Sequence, residues 1–247
     1  MKHFLFSMLL IATGYPLAAQ PRIHAHNDYQ QAEPLTNALR NKVFSIEADV
    51  YPGNSGLLVA HNKEDIRASH TLDSQYLQPI IRLFKKYHGR ISKSKTYSPV
   101  LMIDSKESGA AVITKLIKET AAYPSVFNRS VNAMAVQLVI SGDRGAVSTW
   151  ASYPSNIFFD GRPYEVYDSV TLQRVAFFSD TYYMYVTASD SSSRIQQLVT
   201  KVHGMGKLLR LWAIPDNAAA WLRLQQLGVD IINTDKVAEC RDYFSTK

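Results

Sequence analysis

Cysteine is almost absent: one residue, Cys240, stands in a chain of 247. An internal disulfide is therefore excluded, and stability has to come from a buried core, for which a hydrophobic share of 46% is ample. No apolar run is long enough to cross a bilayer stably; the stretch from Phe4 to Ala12 comes nearest and falls short. Runs of five or more basic residues are also missing. The formal charge of +6 is dispersed instead, which argues against a nucleic-acid partner and suits small anions or an acidic lipid surface. Lys85, Lys86, Lys93 and Lys95 read as a solvated face. With no long Pro, Gly or Ser linker and no internal repeat, a single domain is expected.

The start of the chain has a pattern of its own. Lys2 and His3 precede the apolar run, Gly14-Tyr15-Pro16 breaks it, and Ala18-Ala19-Gln20 supplies small residues. This reads as a secretory signal peptide over residues 1–19, leaving residues 20–247 as an exported domain, periplasmic or secreted in a bacterium. An uncleaved anchor or a buried first helix is the alternative.

Beyond the leader, short β-type runs alternate with helical patterns. Eight strands are expected: Arg22 to His26, Ser45 to Val50, Val100 to Ser105, Ala135 to Ile140, Ile157 to Asp160, Val175 to Ser179, Leu208 to Ala213 and Asp230 to Asn233. Helical spacing marks Pro34 to Arg40, Leu77 to Tyr87, Ala110 to Ala121, Ser193 to Val202 and Asn217 to Leu227. The runs Val100-Leu101-Met102-Ile103 and Val136 to Ile140 are almost continuously apolar, as parallel strands covered on both faces should be. The fold class is therefore α/β, a single (β/α)8 TIM barrel, irregular in its second half, where helices are poorly marked. Tyr182 to Thr187 reads as half-buried strand, with an apolar rim formed by Tyr182, Tyr183, Met184 and Tyr185 as the alternative.

Three strand ends repeat one device, polar residues two positions apart: His24 and His26, Glu47 and Asp49, Asp104 and Lys106. In a strand such pairs share a face, so all three point into the barrel mouth. Concentrating that many ionisable groups is costly unless a cation offsets the carboxylate repulsion. Glu47, Asp49 and Asp104 offer only oxygen, which suits one hard divalent ion, Mg2+ or Ca2+. Lys106 is then placed to neutralise a phosphoryl oxygen, and His26 and His61 to serve as general base and acid in either order. A short hairpin after Pro52 to Gly56 brings His61 over the ion. Each residue taken alone also has a plain structural reading, as surface ion pair, satisfied histidine or helix cap.

Together these residues resemble the phosphatidylinositol-phospholipase-C-like phosphodiesterase superfamily, particularly the glycerophosphodiester phosphodiesterases and the sphingomyelinase D-type toxins. The resemblance runs through His26 before Pro34 to Leu39, Ile46-Glu47-Ala48-Asp49-Val50, Val59-Ala60-His61, Asp104-Ser105-Lys106, Leu211-Trp212-Ala213 and Gly228 to Asp235. It implies a metal-dependent phosphodiesterase acting on a glycerophosphodiester or a phospholipid headgroup, with transient contact to a membrane surface. Where glycerophosphodiesterases carry His-Arg-Gly this chain has His26-Asn27-Asp28-Tyr29, and the opening His24-Ala25-His26-Asn27-Asp28-Tyr29 is most similar to a branch that includes the fungal altered-inheritance-of-mitochondria proteins. Asn27, in place of that arginine, joins Arg162 and Trp212 as candidate substrate contacts; Gln137, Asp160, Asp180 and Asp235 are further candidates for the pocket lining. Trp212 otherwise fills the barrel top, and Asp235 otherwise caps the last helix.

Two rival readings share the barrel. His24-x-His26 also opens metal-dependent amidohydrolases, but the later histidines His70, His88 and His203 are not at strand ends, and His24 is better read as positioning His26. A non-catalytic exported binding protein has no need of all six polar residues. The oligomeric state is not legible.

Overall fold

The computed structural model describes residues 20–186 and 190–246. In chain order the strands are β1 (Arg22–Ala25), β2 (Ser45–Pro52), β3 (Leu57–Val59), β4 (Val100–Ser105), β5 (Gln137–Gly142), β6 (Ile157–Gly161), β7 (Val175–Thr181), β8 (Leu209–Trp212) and β9 (Ile231–Thr234). The helices are α1 (Thr36–Arg40), α2 (Gln78–Lys86), α3 (Gly109–Thr120), α4 (Pro124–Phe127), α5 (Ser169–Gln173), α6 (Tyr183–Val186), α7 (Ser191–Gly204), α8 (Ala218–Gln226) and α9 (Val237–Ser245). Strands run in the order β1-β9-β8-β7-β6-β5-β4-β2, and β1 pairs with β2 to close the ring. All these pairings are parallel, so the fold is a closed eight-stranded TIM barrel. β3 folds back antiparallel on β2, giving the hairpin expected after Pro52.

Alternation along the strands separates two apolar regions. Outward residues such as Ile46, Ala48, Leu101, Ile103, Leu138 and Ile140 join the large core under the helices, where α3 contributes Val112, Ile113 and Leu116. Inward residues Val100, Met102, Val139, Phe177 and Ile231 form a separate plug at the N-terminal end of the barrel, with Phe44, Phe158 and Leu208 packed on it. Above the plug the inward residues turn polar: His24, Glu47, Ser141, Asp160, Ser179, Arg210 and Asn233 are all buried. The plug fills the N-terminal end of the barrel, and the polar layer faces the C-terminal mouth.

The second half is irregular, as expected. A register shift interrupts the β6–β7 pairing at Phe159/Asp160. After β5 the helix is replaced by a 3-10 segment, Val147–Ser152. One side chain there does the work of an apolar stripe: Trp150 is fully buried and stacks on Phe159 with ring centroids 4.2 Å apart. The β-rich segment after β7 is corrected by the structure, since Tyr183–Val186 form one helical turn whose side chains are not buried. β7 is already paired with β6 and β8, so the β propensity of this segment has no free strand edge beside it to pair with. Thr187 and the leader, residues 1–19, lie outside the described residues.

Candidate active site

β2 and β4 place the acids. Asp49 and Asp104 are register partners, and Glu47 sits two residues before Asp49 on the same face. One oxygen from each of Glu47, Asp49 and Asp104 lies within 4.8 Å of the others. Burial, and then the field of Glu47, push the Asp104 carboxyl above its ordinary pKa. Lys106 Nζ bridges Asp49 Oδ2 at 2.7 Å and Asp104 Oδ2 at 2.6 Å. Burial disfavours the Lys106 charge, but Asp104 and Asp49 outweigh it and keep the ammonium charged. Asp49 Oδ2 also accepts from Tyr29 Oη at 2.8 Å and His61 Nδ1 at 2.9 Å, whereas the buried Asp49 Oδ1 has no partner. A buried carboxylate oxygen without a partner, in a residue grouped with two further carboxylates, fits a hard divalent cation.

The two histidines are held in the same way. His61 reaches Asp49 because the β2–β3 hairpin returns the chain, with the Ala60 amide donating to the Asp49 carbonyl at 3.2 Å. His26 Nδ1 meets Asp235 Oδ1 at 2.7 Å, at the end of β9. A carboxylate only accepts, so each Nδ1 donates to its partner and each Nε2 is left free to take or give a proton. The turn behind His26 is locked from below. Asn27 adopts a left-handed conformation (φ 45°), and the buried Asp28 accepts from the Leu35 amide at 2.6 Å and Tyr76 Oη at 2.9 Å. That fold-back delivers Tyr29 to Asp49. Burial, then Asp49, raise the Tyr29 phenol, so it stays a donor.

Beneath these groups lies an interaction that reading the sequence missed. Arg210, only 3% exposed, donates to Ser179 Oγ at 2.9 Å, Asn233 Oδ1 at 3.0 Å and Asp160 Oδ2 at 3.2 Å, and stands 3.7 Å from Glu47 Oε2. His24 Nε2 lies between Glu47 Oε2 at 2.7 Å and Arg210 Nη1 at 2.8 Å. His24 thus supports Glu47 rather than His26, correcting the expectation. Burial, then the Arg210 charge, drive the His24 pKa far down, so the ring is neutral. Burial opposes ionisation of Asp160, yet Arg162 and Arg210 prevail and hold its carboxyl below the ordinary value. The signal was present in Leu208-Leu209-Arg210-Leu211-Trp212, a cation inside an apolar strand two residues before Trp212.

A cavity at the mouth is lined by His26, Glu47, Asp104, Lys106, Ser141, Gly142, Arg162, Arg210 and Trp212. Gly142 has φ +66°, and a Cβ there would lie 2.3 Å from the Ser105 carbonyl and 2.9 Å from Asp104 Oδ1, so no side chain fits against the acids. Arg162 leans on Asp160 Oδ2 at 2.9 Å and on the Gly161 carbonyl at 3.2 Å. Trp212 is 40% exposed at the rim, not filling the barrel top. Asn27 is turned toward Tyr29 Oη at 3.4 Å and is not among the lining residues. Two other candidates are elsewhere: Gln137 opens β5 at the far end of the barrel and binds Arg129, and Asp180 accepts from Tyr185 Oη. Asp235 serves His26; Lys236, not Asp235, is the N-cap residue of α9. Among the described residues the metal-capable group is Glu47, Asp49 and Asp104, and the His24/His26 pair does not converge as an amidohydrolase centre requires.

Parallel barrels with polar residues gathered at the C-terminal mouth form the TIM-barrel class, and this chain is one. The family model of the AIM6-like phosphodiesterase domain matches residues 18–160, and the chain belongs to that family. It is 26% identical to altered inheritance of mitochondria protein 6 of Eremothecium gossypii, covering 87% of this chain and 67% of that one. To the homolog in Arthroderma benhamiae it is 25% identical, over 90% and 83% of the two chains. Among solved structures it is similar to a glycerophosphodiester phosphodiesterase from Parabacteroides distasonis (TM-score 0.60, 13% identity, 92% and 97% covered). It is also similar to a calcium-dependent phosphoinositol-specific phospholipase C from a Pseudomonas species (TM-score 0.54, 12% identity, 91% and 93% covered). At such identities the structural likeness speaks for the fold. The relatives overturn the bacterial periplasmic or secreted localisation expected from the leader, because they are fungal proteins named for the inheritance of mitochondria.

Proposed function

We propose that the chain is a phosphoric diester hydrolase that cleaves a glycerophosphodiester or phospholipid headgroup with two histidines and one divalent ion, Mg2+ or Ca2+. The observation that carries this reading is the matched pair His26–Asp235 and His61–Asp49, each held through Nδ1 with Nε2 free to move a proton, beside three convergent carboxylates. Glu47, Asp49 and Asp104 would hold the ion, which when bound would supply Lewis-acid polarisation of a phosphoryl oxygen. Lys106 puts a fixed positive charge beside the charge that develops on that group. One histidine takes the proton of the attacking hydroxyl and the other returns one to the leaving oxygen. Arg162 offers its remaining N–H groups to the phosphate in place of the arginine missing at Asn27, and Trp212 forms an apolar wall.

The test is a panel of glycerophosphodiesters, lysophospholipids and sphingomyelin, assayed on chelator-stripped protein with Mg2+, Ca2+ or neither. Cleavage restored by a divalent ion is the expected result. Tight metal binding with no ester cleaved under any condition defeats the proposal.

A further inference from the structure

Seven large hydrophobic side chains are exposed among the described residues: Val131, Tyr164, Val166, Val170, Tyr183, Met184 and Trp212. All but Val131 lie at the C-terminal ends of three neighbouring strands. Tyr164, Val166 and Val170 stand between the end of β6 and the first turn of α5, Tyr183 and Met184 follow β7, and Trp212 ends β8. Thr181 and Trp212 are register partners, and the Tyr182 amide donates to the Trp212 carbonyl at 2.9 Å, which joins the last two groups directly. Val166 is 91% exposed and Tyr164 72%, so neither is packed into the core of the described residues. The rim is lopsided. Across the mouth, the loop after β3 presents the exposed Asn62, Lys63, Glu64 and Asp65. An apolar arc confined to one side of a mouth is an interaction surface rather than scatter.

We propose that this arc docks on the interfacial zone of a phospholipid bilayer, so that a lipid diester enters with its phosphate toward Lys106 and Arg162 and its chains toward the arc. The inference rests on the phosphodiesterase reading for the nature of the guest. Charge favours a lipid surface over a second copy of the chain: two molecules of formal charge +6 repel each other, whereas a surface containing anionic phospholipid attracts each. Composition agrees, because Tyr and Trp carry a polar tip on an apolar body and settle at the level of lipid headgroups.

The experiment is co-sedimentation of the chelator-treated full chain with vesicles of phosphatidylcholine, alone or mixed with phosphatidylglycerol, comparing wild type with the double variant Val166→Asp/Met184→Asp. Both side chains are exposed and outside the catalytic groups, so cleavage of a water-soluble diester is expected to be unchanged. Wild type should pellet with both vesicle types, more with the anionic one, and the variant should lose at least about tenfold in partitioning. Wild type that stays in the supernatant, or a variant that pellets equally, overturns the inference. So does a wild-type dimer that the two aspartates convert to monomer, since the arc is then a self-association face. Vesicle binding is read without turnover, so docking with no diester cleaved leaves the surface standing and removes the catalytic reading alone.

Discussion

Replacing Arg210 by methionine isolates the buried layer that holds Glu47. The side chain is 3% exposed, and its guanidinium is the cation nearest to both Glu47 Oε2 and, with Arg162, Asp160 Oδ2. In the variant Asp160 keeps Arg162 at 2.9 Å, but Glu47 is left with the neutral His24 alone. Removing one partner of a buried charge pair costs about 3–5 kcal/mol. For a domain of this size each kcal/mol moves Tm by about 2–4 °C, so a fall of about 6–20 °C is expected in chelator. A divalent ion at Glu47, Asp49 and Asp104 returns positive charge to the same carboxylate, and saturating Mg2+ should therefore raise Tm more in the variant than in wild type. Thermal unfolding with and without metal reads both effects. A variant melting within about 2 °C of wild type in chelator refutes the assignment of Arg210 as the buried countercharge of Glu47.

Three further outcomes follow from the site. Asp235→Asn replaces a carboxylate that can only accept by an uncharged amide that can also donate, so the His26 proton is no longer held on Nδ1; kcat should fall about 10²–10⁴-fold, while stability shifts by only about 0.5 kcal/mol because Asp235 is exposed. An unchanged kcat would show that His26 needs no orientation. The raised Asp104 pKa means that in mild acid this carboxyl must lose a proton before it can bind an ion, so apparent metal affinity should rise by about tenfold per pH unit up to that pKa and then level off. Titration calorimetry across the acid limb checks this, and a flat profile contradicts it. Finally, Glu47 Oε2, Asp49 Oδ2 and Asp104 Oδ2 are each engaged by protein donors, leaving one oxygen per carboxylate. Three single-oxygen donors suit six-coordinate Mg2+ better than Ca2+, which favours more and often bidentate ligands, so Mg2+ should bind more tightly in the same titration.

Much of the framework is legible in the chain because buried parallel strands write themselves as apolar runs. The apolar run of Val100–Ser105 delimits its strand end to end, and the pattern places the other barrel strands to within about two residues. The two-residue spacing of Glu47/Asp49 and Asp104/Lys106 likewise places those groups on one face before any fold is known. Local pattern fails where the decisive contact is long-range. Nothing beside His24 announces that Arg210, 186 residues away, shares its Nε2 contact with Glu47. Tyr29 reaches Asp49 only because Asp28 is pinned by Tyr76 and the Leu35 amide. Tyr183–Val186 mislead in the opposite sense, having strand-forming residues but following a strand already paired on both sides.

The most direct measurement compares wild type, His26→Ala and His61→Ala on two diesters that differ in leaving group, one an alkyl alcohol and the other p-nitrophenol. p-Nitrophenolate departs without protonation, so loss of the general acid is spared on that ester alone, whereas loss of the base is felt on both. The expected result is that both variants lose alkyl-diester cleavage and one of them recovers on the p-nitrophenyl ester, naming the acid. If both variants cleave the alkyl diester at the wild-type rate, the paired-histidine mechanism is wrong.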